Sequence, residues 1–317
     1  MILVTGASGF IGTSVCAALR ERSHAIRAAV RTAAAAEQLP RDSFDEVFIS
    51  GELSGTTAWD EGLRDIEAIV HLAARVHVMH DRASDPQAEF RKVNVDASLG
   101  LARQARDAGV PLFVFVSSIK VNGESTSEQP FRATDDPAPV DEYGRSKLAA
   151  ERGLRDLERP GFRVAIVRPP LVYGPGVKAN FRLLLNLANS GLPLPFGAVR
   201  NQRSFVNIWN LADFIARLVS HPRAAGQTWL VSDGEDLSTP HLVRQLAAGL
   251  GRKAVMIPVP VALLRTAFVL VGRAPELRRL TESLRVDISP ARELLGWSPP
   301  VTASEGLVRT ALAFAAS

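Results

Sequence analysis

Tyr143-Gly144-Arg145-Ser146-Lys147 sets a phenol and an ammonium four residues apart. On a helix that spacing is one turn, so both side chains share a face. Such a pair can pass a proton to or from the oxygen of an alcohol or ketone. An unperturbed phenol titrates near pH 10 and is a poor base at neutral pH. Lowering it by roughly three units takes about 4 kcal/mol of differential stabilisation, which neighbouring positive charge in a dry site can provide.

A second stretch is suited to holding a ligand. Ile2-Leu3-Val4-Thr5 is a short apolar run, the pattern of a buried parallel strand. It leads into Gly6-Ala7-Ser8-Gly9-Phe10-Ile11-Gly12, and a helical pattern follows through Leu19. In a strand, glycine turn and helix of this kind, Gly6 permits the tight turn and Gly9 lets backbone approach a pyrophosphate. Gly12 lets helix and strand pack closely. The helix N-terminus then offers free N–H groups and a positive dipole to phosphates.

The elements that must position these groups can be read in order. Further strands are expected at 25–30, 46–49, 68–74, 111–118 and 163–168, with a helical pattern over 90–108 and a helix opening at Tyr143. Six strands interleaved with helices predict an α/β fold, a Rossmann-type doubly wound parallel sheet. Residues 124–141 are polar and rich in Pro, Thr and Asp, a loop long enough to be functional. From Pro169 the chain turns Pro- and Gly-rich. The expected division is a cofactor-binding domain over 1–172, with 202–233 returning to it, and a smaller substrate-binding domain from 173–201 and 234–317.

The spacing G-x-x-G-x-x-G, in place of G-x-G-x-x-G, resembles the short-chain dehydrogenase/reductase superfamily. Thr5 to Gly12 is similar to its extended branch, the NAD-dependent epimerase/dehydratase family of nucleotide-sugar enzymes. The likeness continues through Gly51-Glu52-Leu53, His71-Leu72-Ala73-Ala74, Asn94-Val95-Asp96 and Ser117-Ser118 with Val121-Asn122-Gly123. It extends through Pro169 to Gly176, Arg203 to Ile208 and Asp287 to Trp297.

The resemblance implies Ser118, Tyr143 and Lys147 as the catalytic set. It implies cofactor contacts at Gly6, Gly9, Phe10, Ile11, Gly12, Glu52, Leu53, Leu72, Ala73, Ala74, Asn94, Tyr143, Lys147 and Pro170. Ser118, Asn180 and Arg203 would touch the substrate, Arg203 through its diphosphate. Arg273, Arg278, Arg279 and Arg285 are candidates for a second diphosphate contact. His71 is read as a structural residue at a strand end. Departures from the family pattern are Glu52 for Asp, Leu171 for Asn, Ser204 for Asp and Asn207 for His. Arg31 ends the second strand, where an acid would bind the adenosine ribose hydroxyls. A guanidinium there can pair with a 2′-phosphate. NADP(H) is therefore favoured over NAD(H).

The expected reaction is reduction of a UDP- or dTDP-4-keto sugar, as used in surface-polysaccharide synthesis, with Tyr143 as proton donor. The second reading is a UDP-hexose 4-epimerase with tightly held NAD. A non-catalytic NADP-sensing regulator is the third, disfavoured because Tyr143 and Lys147 are both present. Ile119 and Lys120 stand where dehydratases of this family usually carry an acidic pair, so dehydration is not expected. A homodimer is implied by resemblance. Sugar specificity is expected from loops near 76–85 and 193–203.

Composition agrees with a phosphate-binding enzyme. The chain has 317 residues, 46% hydrophobic and 22% charged, enough for a full core. Its net charge of +4 comes without a Lys/Arg block and points to no nucleic-acid partner. The single Cys16 allows no internal disulfide, reads as a small apolar core residue, and suits a reducing, cytoplasmic setting. The six histidines are scattered and suggest no metal site. The start of the chain lacks the basic region of a signal peptide. Residues 254–272 are the most apolar later stretch, but Pro258, Pro260 and Arg265 interrupt them. They are expected to form a buried helix with an irregular lead-in, not a membrane span.

Overall fold

Apolar runs of four to six residues, buried on both faces, are what parallel strands require. The structure, a computed structural model describing residues 1–76 and 85–317, forms such buried strands everywhere in the main sheet's first six except the edge strand Glu46–Ile49, which is mostly exposed. Strands β1 (Ile2–Thr5), β2 (Ile26–Val30), β3 (Glu46–Ile49), β4 (Ala68–His71), β5 (Leu112–Val116) and β6 (Arg163–Arg168) lie in one sheet. With β7 (Leu171–Tyr173), β8 (Arg203–Asn207), β9 (Thr228–Leu230) and β10 (Asp236–Leu237), the strands among the described residues are complete. The main sheet has seven strands in the order β3-β2-β1-β4-β5-β6-β9, and every pairing in it is parallel. A small sheet has the order β10-β8-β7.

Strand order reverses between β1 and β4. The turns after β1, β4 and β5 therefore open on one crevice at the carboxyl ends of the strands, where open α/β sheets bind ligands. One face of the main sheet buries Val4, Val70, Val114 and Val167 against helices Phe10–Glu21 and Ile208–Ser220. The other buries Leu3, Ile69, Phe113, Phe115 and Ile166 against helices Ala97–Asp107 and Glu142–Asp156. Leu284 to Trp297 packs into the first of these cores. There Trp297 meets the Phe214 ring at 4.8 Å and donates to Asp213 at 2.8 Å. A third core joins helices Ala179–Asn189, Thr239–Gly249 and Ala303–Ala315 around β7 and β8.

The loop 124–141 is strapped down. Thr126 and Phe131 donate their N–H groups to the carbonyls of Ser283 and Arg285, each at 2.8 Å.

One expectation is corrected. Within 254–272 a helix forms at Val261–Leu270, but Leu264 is its single buried residue. Leu263 is 63% exposed and Leu270 81% exposed. The apolar run exceeds what one contact face can cover, so most of it is left outside. Among the described residues no helix is long and apolar enough to cross a membrane. The specificity expected at 76–85 falls largely on residues 77–84, outside those described.

Candidate functional site

The glycine loop has the backbone its sequence requires. Gly6 sits at φ +67°, and a Cβ there would lie 3.0 Å from the Ala73 nitrogen. A Cβ at Gly12 would lie 2.2 Å from the Gly6 carbonyl oxygen. Helix Phe10–Glu21 begins at Gly9 with no side-chain cap and no acid in its first turn. Its leading N–H groups, those of Phe10, Ile11 and Gly12, thus remain available to an anion. Leu72 and Ala73 are tied to β1: their N–H groups donate to the carbonyl and the hydroxyl of Thr5, each at 3.3 Å. Ala74 follows on the same half-buried turn.

Tyr143 and Lys147 lie one turn apart on helix Glu142–Asp156, which Asp141 caps by accepting from the Gly144 N–H at 2.8 Å. Ser118 follows β5 two residues on, and its hydroxyl lies near enough to the Tyr143 phenol to favour the ionised form. Lys147 is fully buried; its amine donates to the Val116 carbonyl at 2.8 Å and sits 4.4 Å from the Phe115 ring centre.

The electrostatics differ from the expectation for the phenol. Burial, then the charge of Asp141, push Tyr143 up to about 12, with the Ser118 hydroxyl opposing. Burial pulls Lys147 down to about 7, with Glu151 opposing. The reason is the direction of the amine, which is spent on the Val116 carbonyl and the Phe115 face. In the protein alone, Lys147 does not lower the phenol; the expected drop calls for a positive nicotinamide beside it as well.

Asn94 is fully buried in a π-helical turn, Arg91–Asp96. It accepts from the Arg75 N–H at 2.8 Å and donates to the Arg75 carbonyl and the Ser146 hydroxyl, both at 3.0 Å. Ser146 in turn donates to the Tyr143 carbonyl at 2.8 Å. The amide is thus consumed in clamping the turn after β4 to the Tyr143 helix, which makes Asn94 a positioning residue. His71 is buried between the hydroxyls of Thr5 at 2.8 Å and Ser98 at 2.9 Å. Burial and Lys147 lower it to about 3. Pro170 is buried beside Pro169, whose carbonyl accepts from the Ile119 N–H at 2.9 Å.

At the second-strand end, Arg31 is exposed and has no hydrogen-bond or ion-pair partner among the described residues. Its neighbour Arg27 is consumed by Glu46 and three carbonyls. Glu52 is exposed, and Leu53 packs against the core.

Across the crevice, Arg203 opens β8 and donates to the Glu282 carbonyl at 2.9 Å. Burial lowers it to about 10; Glu282 and Glu124 oppose this and Arg279 adds to it. Of the four C-terminal arginine candidates, Arg279 is thus the one whose charge reaches Arg203. Asn180 is half-buried near the start of helix Ala179–Asn189. Leu171 is half-buried in β7. Ser204 and Asn207 are occupied within the protein, with Asp236 at 2.5 Å and Asp233 at 2.9 Å. Asp233 also accepts from Tyr173 at 2.7 Å and is pushed up to about 6 by burial.

Three supports escaped the sequence reading. Lys120 pairs with Asp141 and, at 3.1 Å, with Glu124. Arg168 and Glu151 form a buried ion pair at 2.6 Å behind the site, and Arg168 also donates to Asn122 at 2.9 Å. Asp141 was the most accessible, since an Asp just before a helical pattern is a cap signal.

The pieces fit a dinucleotide: a cradle closed to any Cβ, an uncapped helix start, and a buried Ser117 hydroxyl with no protein partner among the described residues. Comparison with known proteins agrees. The model of the NAD dependent epimerase/dehydratase family matches residues 2–232. The chain belongs to that family. Among curated relatives, a UDP-glucose 4-epimerase from Vibrio cholerae is 44% identical over 99% of this chain and 95% of its own. Among solved structures, the UDP-glucuronic acid 4-epimerase from Bacillus cereus in complex with NAD superposes with TM-score 0.78 at 21% identity. That match covers 99% of this chain and 98% of the other. RMD from Pseudomonas aeruginosa, complexed with NADPH, gives TM-score 0.71 at 22% identity, over 98% and 97%. At these identities the structural likeness is one of fold; the first of these two structures holds NAD and the second NADPH.

Proposed function

We propose that the protein is a UDP-hexose 4-epimerase. The observation that carries this reading is the 44% identity to the Vibrio cholerae UDP-glucose 4-epimerase over nearly the whole chain. It reverses the order of the sequence reading, which put single reduction first. A nicotinamide dinucleotide, held by Gly6 to Gly12 with Lys147 at its ribose, would supply the hydride acceptor and donor. Tyr143 takes the proton from the sugar C4 hydroxyl and returns it after the keto sugar has turned over. Ser118, beside the phenol, orients the same oxygen. A phenol at about 12 is almost wholly protonated at neutral pH, and only its phenolate can take the proton. The positive charge of an oxidised nicotinamide favours its ionised form, so proton removal is coupled to the oxidised state. Arg203, with Arg279 close by, suits the substrate diphosphate, and Asn180 suits the sugar-nucleotide side of the crevice.

One observation favours the second reading, an NADPH-dependent 4-ketoreductase: Arg31 stands unpartnered among the described residues where an acid would bind the NAD ribose. The deciding experiment is incubation of purified protein with UDP-glucose and no added cofactor. Formation of UDP-galactose, with NAD released on denaturation, is the expected result. No interconversion, together with NADPH oxidation by a UDP-4-keto sugar, would establish the reductase.

A further inference from the structure

The helix Val261–Leu270 presents an apolar face to the outside, and its surroundings are strongly cationic. Leu263 and Leu270, seven residues apart, share a side of the helix turned about 100° or more from Leu264 and Phe268, which face the core. Val269 (58% exposed) and Val271 (67%) widen the apolar surface. The preceding segment adds Val255 and Ile257, both exposed. Within the helix only Arg265 and Thr266 are polar.

Along residues 252–280, the stretch that carries this face, the charge is one-sided. Arg252, Lys253, Arg265, Arg273 and Arg278 are exposed, and Glu276 is the single acid between residues 252 and 280. Glu276 pairs with Arg273, and Glu282 with Arg278. Arg252, Lys253 and Arg265 have no ion-pair partner among the described residues.

We propose that this face docks the protein onto an anionic lipid surface. Apolar side chains without directional polar groups, rimmed by cations, match the boundary between acyl chains and acidic headgroups. Ten residues of helix span about 15 Å, half of a hydrocarbon core, so the helix lies on the surface and does not cross it. A second copy fits less well, because two such faces brought together would oppose their arginine rims. A specific protein partner would be met by a pattern of hydrogen-bonding groups that this face lacks. The inference is independent of the reaction the crevice performs.

The test uses the full-length protein and sucrose-loaded vesicles of phosphatidylglycerol mixed with phosphatidylcholine, against vesicles of phosphatidylcholine alone. The expected result is about tenfold or more protein pelleted with the anionic vesicles, less of it at high salt. A Leu263→Asp/Leu270→Asp variant should lose the pelleting while keeping wild-type turnover in solution. Should that variant fail to fold, Lys253→Glu/Arg265→Glu serves in its place, with the same loss expected. No preference for anionic vesicles overturns the proposal. So does undiminished pelleting of the leucine variant. A leucine variant that turns a dimer into a monomer by light scattering, with no vesicle binding by the wild type, assigns the face to a second copy.

Discussion

The carboxylate of Asp141 is shared between the Gly144 N–H, which it caps at 2.8 Å, and the ammonium of Lys120. It thereby starts the helix that carries Tyr143 and places a negative charge near the phenol, where it raises the phenol's pKa. Lys120 balances that charge from the turn that follows Ser118. The Ser118 hydroxyl, the phenol and this ion pair are thus one electrostatic unit, in which Glu124 extends the reach to Arg203.

Altering either partner should move the pH dependence of turnover in opposite directions. Lys120→Met leaves Asp141 unbalanced, raises the phenol further and shifts the acid limb of kcat to higher pH. Asp141→Asn keeps the cap, since Asn and Asp cap about equally well, but removes the charge, so the limb moves to lower pH. Shifts of up to about one unit are expected for partly exposed charges at this range. Limbs that move together, or not at all, would remove the pair from the control of Tyr143.

Lys147 makes a prediction about stability that needs no substrate. Its ammonium titrates near 7 in the fold against an ordinary value of 10.5. Between these values the unfolded chain binds a proton that the folded protein does not, so Lys147 makes stability rise with pH across that window. The slope approaches about 1.4 kcal/mol per pH unit for one proton. Below the folded value the burial penalty is fully present. Cys16 and Tyr143, both pushed up to about 12 by burial, act in the opposite sense near the top of the window. The difference between wild type and Lys147→Met isolates the lysine. Urea unfolding near neutrality and again two to three pH units higher should show the wild type gaining on the variant. Parallel pH curves would mean that the amine is not held in a dry, unpaired setting.

Much of the cofactor half was legible because its signals are local. Four to six apolar residues bounded by glycine mark a buried parallel strand, and Gly6 and Gly12 are where only glycine fits. Strand β9 is only three residues long, with polar residues before it, and was not visible as a strand in the sequence. The supports of the site were hidden for a different reason. Asn94 meets Arg75 and Ser146 across 19 and 52 residues, and Arg168 meets Glu151 across 17. No periodicity encodes such contacts. The acidity of Tyr143 in the protein alone was not legible, because Tyr-x-x-x-Lys fixes the lysine's face of the helix but not its direction. That depends on the Val116 carbonyl and the Phe115 ring, which come from another element.

Arg31 separates the two readings of the reaction. It is exposed just beyond β2, next to the Thr32-capped helix Ala33–Glu37, with no partner among the described residues. If it meets a 2′-phosphate, the charge-assisted contact is worth roughly 1.5–3 kcal/mol, or about ten- to a hundredfold in affinity. Arg31→Asp should then weaken NADP⁺ by that factor and strengthen NAD⁺, since a carboxylate accepts from both ribose hydroxyls and repels the phosphate. Titration calorimetry with each dinucleotide on nucleotide-stripped protein reads this directly, without turnover. An unchanged ratio of the two dissociation constants would take Arg31 out of the cofactor site and leave the epimerase reading without its competitor. A reversed ratio, with wild type preferring NADP⁺, would tell against tightly held NAD and support a single reduction.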